Sequence, residues 1–134
     1  DSQREFVLYG RSNGLSIVEV TDPVNPVFLA RVPTASVQSL WRDVKVYDNH
    51  AFIVSEAAGH GMQVVDLSSI PDITLGPIEL TPVSMYLGFG NAHNIAINEA
   101  SGFAYGLGTG ILNYDAEQVA TVVAGELEVG CVCG

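Results

Sequence analysis

Short apolar runs rich in Val, Ile, Phe and Tyr alternate along the chain with Gly, Pro, Asn and Asp, and helical periodicity is almost absent. That punctuation predicts a many-stranded sheet protein. Three of the apolar segments align with one another: EFVLYGRSNGLSIVEV (5–20), AFIVSEAAGHGMQVVDL (51–67) and GFAYGLGTGILNYDA (102–116). In each, an aromatic (Phe6, Phe52, Phe103) precedes a short polar or glycine-rich loop and then a glycine (Gly14, Gly61, Gly110). Five residues beyond that glycine stands an acid: Glu19, Asp66, Asp115. A constant glycine-to-acid spacing beside a loop of variable length predicts two fixed strands around a tolerant connection.

A second match lies upstream, where RDVKVYDNHAF (42–52) superimposes on HNIAINEASGF (93–103) and pairs Val44 and Val46 with Ile95 and Ile97. After each acid comes a turn and a further strand: VFLARV (27–32), IEL (78–80) and VATVVA (119–124). Each complete unit therefore has four strands, labelled a to d, repeating every 46 to 51 residues. The register holds about two and three-quarter units, b-c-d over 4–32, a-b-c-d over 42–80 and a-b-c-d over 93–124, with a tail at 125–134. The expected fold is all-β: a single domain over 1–134 forming a β-propeller-like array of four-stranded antiparallel blades, part of a larger propeller because this length cannot close a ring. The competing architecture is a compact β-sandwich.

With 134 residues and 48% hydrophobic content, the chain has material for one real core. Its formal charge of −10, with five basic residues that never cluster, argues against a phosphate backbone or an anionic membrane as partner. No apolar run reaches the roughly 18 residues of a membrane helix. Beginning at Asp1 without a signal peptide, the chain reads as a mature or excised piece. Cys131 and Cys133 stand at the extreme C-terminus, where they cannot staple a core.

Blade topology sorts the loops by face. The d-to-a connections (33–41, 81–92) and b-to-c loops (10–13, 55–60, 106–109) emerge on one face, and the a-to-b turns (47–50, 98–102) on the other. Arg42, Asp43, His93 and Asn94 thus share a face with Glu56 and His60, the richest polar set in the chain. Asp43, Glu56, His60 and His93 are acceptable ligands for a divalent cation, calcium or zinc, with Arg42 and Asn94 completing a binding face. The alternative is that Arg42 and Asp43 make structural hydrogen bonds or ion pairs between blades, and that His60 and His93 are merely loop histidines. There is no G-x-S-x-G, H-E-x-x-H, EF-hand loop or P-loop. GLGTG (106–110) precedes a strand, so it lacks the helix N-terminus that a nucleotide loop needs.

The segments GLSIVEVTDPVNPVFLARVP, WRDVKVYDNHAFIVSEAAGHGMQVVDLS and GNAHNIAINEASGFAYGLGT closely resemble the choice-of-anchor B family, whose units are similar to LVIVD repeats. The match runs from about Phe6 to Thr109, and beyond it ILNYDAEQVATVVAGELEVGCVCG keeps only the glycine-to-acid spacing. The resemblance implies a secreted or surface-tethered bacterial β-propeller and supplies no catalytic residues. The expected function is a non-catalytic extracellular or cell-surface repeat module for protein or glycan binding or adhesion. A metal-dependent hydrolase-like propeller and a structural subunit of an extracellular assembly are the alternatives. Because the first unit lacks strand a, REFVLY (4–9) leaves an open edge, for which GELEVGCVCG (125–134) of a neighbouring molecule is the expected partner.

Overall fold

A computed structural model of the protein describes residues 3–110 and the backbone of 119–121. Among the described residues, the chain forms eleven strands and one 3-10 turn, Ile70–Asp72. The strands are β1 (Phe6–Arg11), β2 (Gly14–Glu19), β3 (Val27–Pro33), β4 (Arg42–Tyr47), β5 (His50–Ser55), β6 (Met62–Asp66), β7 (Ile78–Glu79), β8 (Ser84–Tyr86), β9 (Asn94–Asn98), β10 (Phe103–Leu107) and β11 (Val119–Thr121). They assemble into three sheets, ordered β1-β2-β3-β7, β4-β5-β6-β8 and β9-β10-β11. Every pairing is antiparallel except β3 with β7. The protein is therefore all-β.

Side-chain alternation decides how the sheets stack. Successive residues of a strand point to opposite faces, and in β5 both faces are buried. Phe52 and Val54 enter a core with Met62, Val64, Tyr86 and Ile95, between the second and third sheets. Ala51 and Ile53 enter another with Leu15, Ile17, Ala30 and Val65, between the first and second. The second sheet is the middle layer of three, which a two-sheet sandwich does not provide. Full burial of side chains such as Phe52 and Ile53 stabilises the stack by about 1.5–3 kcal/mol each. Strands β1, β4 and β9 lie next to one another along one side of the stack.

The register is physical in the first two units. Phe6 and Leu8 pack on the core toward the second sheet, as Phe52 and Val54 pack toward the third. Leu15 and Ile17 of β2 do for the first interface what Met62 and Val64 of β6 do for the second. The repeated glycine has a steric cause. At Gly14 (φ +145°) a Cβ would lie 2.0 Å from the Val32 carbonyl oxygen, and at Gly61 (φ +62°) one would lie 2.3 Å from that of Tyr86. The backbone of the outer strand closes on the start of the preceding one, and only glycine leaves room.

The two-residue hairpin between β4 and β5 places Asp48 and Asn49 at positive φ (46° and 55°), the mirror-image turn that suits strand twist. In TDPVNP, Asp22 Oδ1 accepts from the Val24 N–H and Oδ2 from the Asn25 side chain, the turn chemistry those residues favour.

Two strand assignments differ from expectation. IEL at 78–80 is not the fourth strand of the second sheet. Ile78 and Glu79 pair in parallel with Ala30 and Arg31 of β3, at the edge of the first sheet. The fourth position belongs to β8, where Tyr86 pairs with Met62. The cause lies in the linker: Ile70 and Ile73 are buried in the core shared by the first two sheets, so they carry the chain back toward β3 before it returns. In the third sheet, Val119–Thr121 pair directly with β10, in the third strand position instead of the fourth, with Phe103 opposite Thr121. A β-branched stretch is well suited to occupy that open edge. Asp115, the two cysteines and the 125–134 tail lie outside the described residues.

Candidate binding face

The loop end of the stack gathers the polar residues singled out in the sequence, but in three separate groups. The first is built on Arg42, at the start of β4. Its Nη1 donates to His60 Nε2 (2.6 Å), its Nη2 to Thr34 Oγ1 (2.8 Å) and its Nε to the Arg11 carbonyl (3.2 Å). One guanidinium thus fastens the ends of β1 and β3 to the loop before β6. His60 is fully buried, and its Nδ1 bonds the Gly61 carbonyl at 3.0 Å. That pattern requires the neutral ring with its proton on Nδ1. Burial, with Arg42 alongside, holds the imidazole below its ordinary range, while the Gly61 bond opposes this. Burial also lowers Arg42.

The second group joins the second and third sheets. Asp43 Oδ2 accepts from the Ile95 N–H (3.0 Å) and the Asn94 amide (3.4 Å), while Oδ1 accepts from the Val44 N–H (2.9 Å) and Lys45 Nζ (3.0 Å). Partial burial pushes this carboxyl up, but the bonds from Ile95, Lys45, Asn94 and Val44 together outweigh it and hold it below the usual range.

The third group is open to solvent. Glu56 Oε1 meets His93 Nδ1 at 2.6 Å, with the two side chains 48% and 43% exposed. The His93 ring stacks on Trp41 with centroids 4.2 Å apart and planes 11° from parallel. Trp41 Nε1 donates to the His93 carbonyl (2.6 Å), and the Trp41 carbonyl accepts from Ser55 Oγ (2.9 Å). Asn91 braces the same corner, donating to the Glu56 carbonyl (3.0 Å) and accepting from the Gly110 N–H (2.7 Å). The result is a fixed indole beside a carboxylate–imidazole pair. An indole offers an apolar plane, and the pair offers directional acceptors and donors for hydroxyls or amides.

The expected metal set, Asp43, Glu56, His60 and His93, is not one ligand cluster. No group of three or more His, Cys, Asp or Glu side chains among the described residues is placed to hold a metal ion. His60 is committed to Arg42 and Gly61, and the adjacent guanidinium opposes a cation. Asp43 is saturated by its donors, which leaves only Glu56 and His93 together. The structural alternative, polar residues tying neighbouring sheets, describes Arg42 and Asp43, whereas His60, a mere loop histidine on that reading, is a buried partner of Arg42. Trp41 was missed as a site residue, although it is the chain's single tryptophan and directly precedes the Arg42–Asp43 pair. His50 opens β5 beside the β4–β5 turn, partly buried, with Nδ1 on the Asp48 carbonyl (2.6 Å).

Two clefts lie elsewhere. One of about 300 Å³ is lined by Phe6, Leu8, Val46, Leu67, Ile70 and Pro71. The other, of about 260 Å³, opens on the outer side of the first sheet among Arg11, Asn13, Arg31, Pro33 and Glu79. No helix among the described residues is long and apolar enough to cross a membrane. In comparisons with known proteins, no family model, curated protein or solved structure matches the chain.

Proposed function

We propose that the protein is a non-catalytic recognition module of the β-propeller kind, secreted or held at the cell surface, whose loop face binds a glycan or protein ligand. The propeller reading is supported by three sheets stacked face to face, with β4 and β9, the two strand-a equivalents, adjacent along one side of the stack. Membership in the choice-of-anchor B family, and with it the location outside the cell, rests on the sequence resemblance. The observation that carries the binding reading is the Trp41–His93 stack with Glu56 bonded to its imidazole, held in place and solvent-facing. Preorganised aromatic and polar groups at the end of a rigid scaffold suit recognition, since little side-chain freedom is lost on binding.

The test is to probe a glycan array and an immobilised library of extracellular proteins with the wild type and with Trp41→Ala and Glu56→Gln variants. Retention of a ligand by the wild type, weakened in both variants with unchanged melting, is the expected result. Ligand retention identical in wild type and both variants overturns the site. Turnover of a bound glycan or ester overturns the non-catalytic reading.

A further inference from the structure

The middle strand of the first sheet carries little side-chain bulk at one end of its outer face. Leu15 and Ile17 of β2 enter the core shared with the second sheet, so Gly14 and Ser16 face outward. Gly14 has no side chain, and that of Ser16 is small and buried. Longer groups flank them in register. Arg11 and Pro33 are the cross-strand neighbours of Gly14, Arg31 is that of Ser16, and Glu79 of β7 pairs with Arg31 in turn. The hollow they enclose, lined also by Asn13, is the cleft of about 260 Å³. That is just under the roughly 300–1,000 Å³ of drug-sized ligand pockets, so its occupant is small.

The cleft presents two positive groups and one negative. Arg31 Nη2 bonds Glu79 Oε2 at 2.8 Å, in an exposed pair of the kind that contributes little to stability and yields to a competitor. Arg11 has no acidic partner among the described residues, only a long contact of Nη1 with Ser16 Oγ at 3.4 Å. Glu5, Glu19 and Asp22 stand at the other end of the sheet, roughly 16 Å or more along β2 from Gly14. There Glu19 is bonded to Arg4, and Asp22 to its own turn. An anion alone would meet Glu79 and a chain of formal charge −10, and a cation alone would meet two guanidiniums. A small zwitterion fits both signs and, having no net charge, is not repelled by the chain as a whole. Because Arg31 and Glu79 touch, the two charges of the ligand must stand close together, as they do across a single carbon. We infer that this cleft binds a free α-amino acid with a small neutral side chain. Its carboxylate takes Arg11 and the remaining nitrogens of Arg31, where the planar guanidinium fork suits it, and its ammonium takes Glu79. The excursion of β7 completes the site, since the Leu80 N–H donates to the Arg31 carbonyl (2.8 Å) and fixes Glu79 beside Arg31. The site is separate from the Trp41 face and independent of its ligand.

Titration with glycine and L-alanine, followed by calorimetry and melting temperature, tests this against acetate, N-acetyl-L-alanine and ethylamine, each of which keeps only one of the two charges. The amino acids are expected to bind and to raise the melting temperature. Each single-charge compound should bind at least about tenfold more weakly, because charge-assisted hydrogen bonds are lost. Arg11→Gln, Arg31→Gln and Glu79→Gln should each weaken L-alanine by a similar factor. In Glu79→Gln the advantage of L-alanine over N-acetyl-L-alanine should disappear, while Trp41→Ala should bind L-alanine like the wild type. Circular dichroism melts check folding; where a variant does not fold, Arg11→Lys, Arg31→Lys or Glu79→Asp takes its place, with a smaller weakening expected. Neither heat nor a melting shift at about 10 mM amino acid, tenfold above the Kd of a millimolar ligand, overturns the proposal. So does equal binding of acetate and L-alanine, which marks a plain anion site, or unchanged binding in the Arg11 or Glu79 variant. Loss of binding in Trp41→Ala also overturns it, since that puts the ligand on the loop face.

Discussion

Arg42 Nη1 lies 2.6 Å from Nε2 of His60, a cation donating to a fully buried neutral imidazole. The same guanidinium reaches Thr34 and the Arg11 carbonyl, so a single side chain serves three acceptors on two sheets. Replacing Arg42 with Ala strands the buried His60 nitrogen and removes the donor to the half-buried Thr34 hydroxyl, and leaving a buried polar group unpaired costs about 1–3 kcal/mol. The expected result for Arg42→Ala is a loss of about 2–4 kcal/mol in urea unfolding, with Arg42→Lys recovering only part because it lacks the planar fork. A change under about 0.5 kcal/mol, the range of an ordinary surface substitution, counts against the clamp.

The His60 environment gives stability a definite pH dependence. Its folded-state pKa lies below the ordinary value of about 6.5, so the unfolded chain takes up the proton more readily. The stabilisation is complete above about pH 6.5 and is lost as pH falls from there through the lowered folded value. Melting temperature should decline as pH falls from about 6.5 through the range above carboxylate titration. His60→Gln should flatten the decline there. Below it, protonation of Asp43, which the fold holds below its usual range, brings a further loss that His60→Gln does not remove.

Gly61 and Gly59 form a matched pair for separating backbone conformation from crowding. Both have positive φ, 62° and 71°, but a Cβ at Gly61 meets the Tyr86 carbonyl oxygen at 2.3 Å while one at Gly59 meets nothing within 4 Å. Gly59→Ala should cost about 1 kcal/mol, the penalty of a left-handed non-glycine residue. Gly61→Ala should cost distinctly more, since β8 must shift as well. Equal thermal shifts would mean that β8 does not close on this strand.

Phe52 and Ile53 are adjacent in sequence and sit in different cores. Phe52→Ala should cost about 3–5 kcal/mol and Ile53→Ala about 2–5 kcal/mol. Hydrogen exchange should place the two losses on opposite sides: amides of β9 and β10 are loosened by the Phe52 change and those of β2 and β3 by the Ile53 change.

Much of this architecture is legible in the chain itself, and the reasons are local. The Phe–Gly register marks real strands because each glycine answers a specific carbonyl, Val32 for Gly14 and Tyr86 for Gly61. The loop face was likewise readable, since strand direction alone puts Arg42, Glu56, His60 and His93 at one end. What the pattern misses is pairwise. Nothing in IPDITLGPIEL says that Ile70 and Ile73 will be drawn into the neighbouring core and deliver Ile78 to β3, because that depends on which cavity the linker can fill. Nor does residue type tell a ligand from a strut: His60 and His93 are both loop histidines, but one faces a guanidinium in the interior and the other an indole at the surface.

The excursion of β7 has a topological consequence. The chain leaves the second sheet after Asp66, adds Ile78 and Glu79 to the edge of the first, and comes back to the second at Ser84. It works as a stitch through two layers. The first two sheets therefore cannot be drawn apart along the chain, by mechanical pulling or by fraying, without unzipping β7 from β3. The third sheet is held to them by one covalent passage, from Tyr86 to Asn94, and by side chains such as Asp43. Under load the protein should yield in two steps, with the third sheet peeling off first and the stitched pair rupturing later as one body.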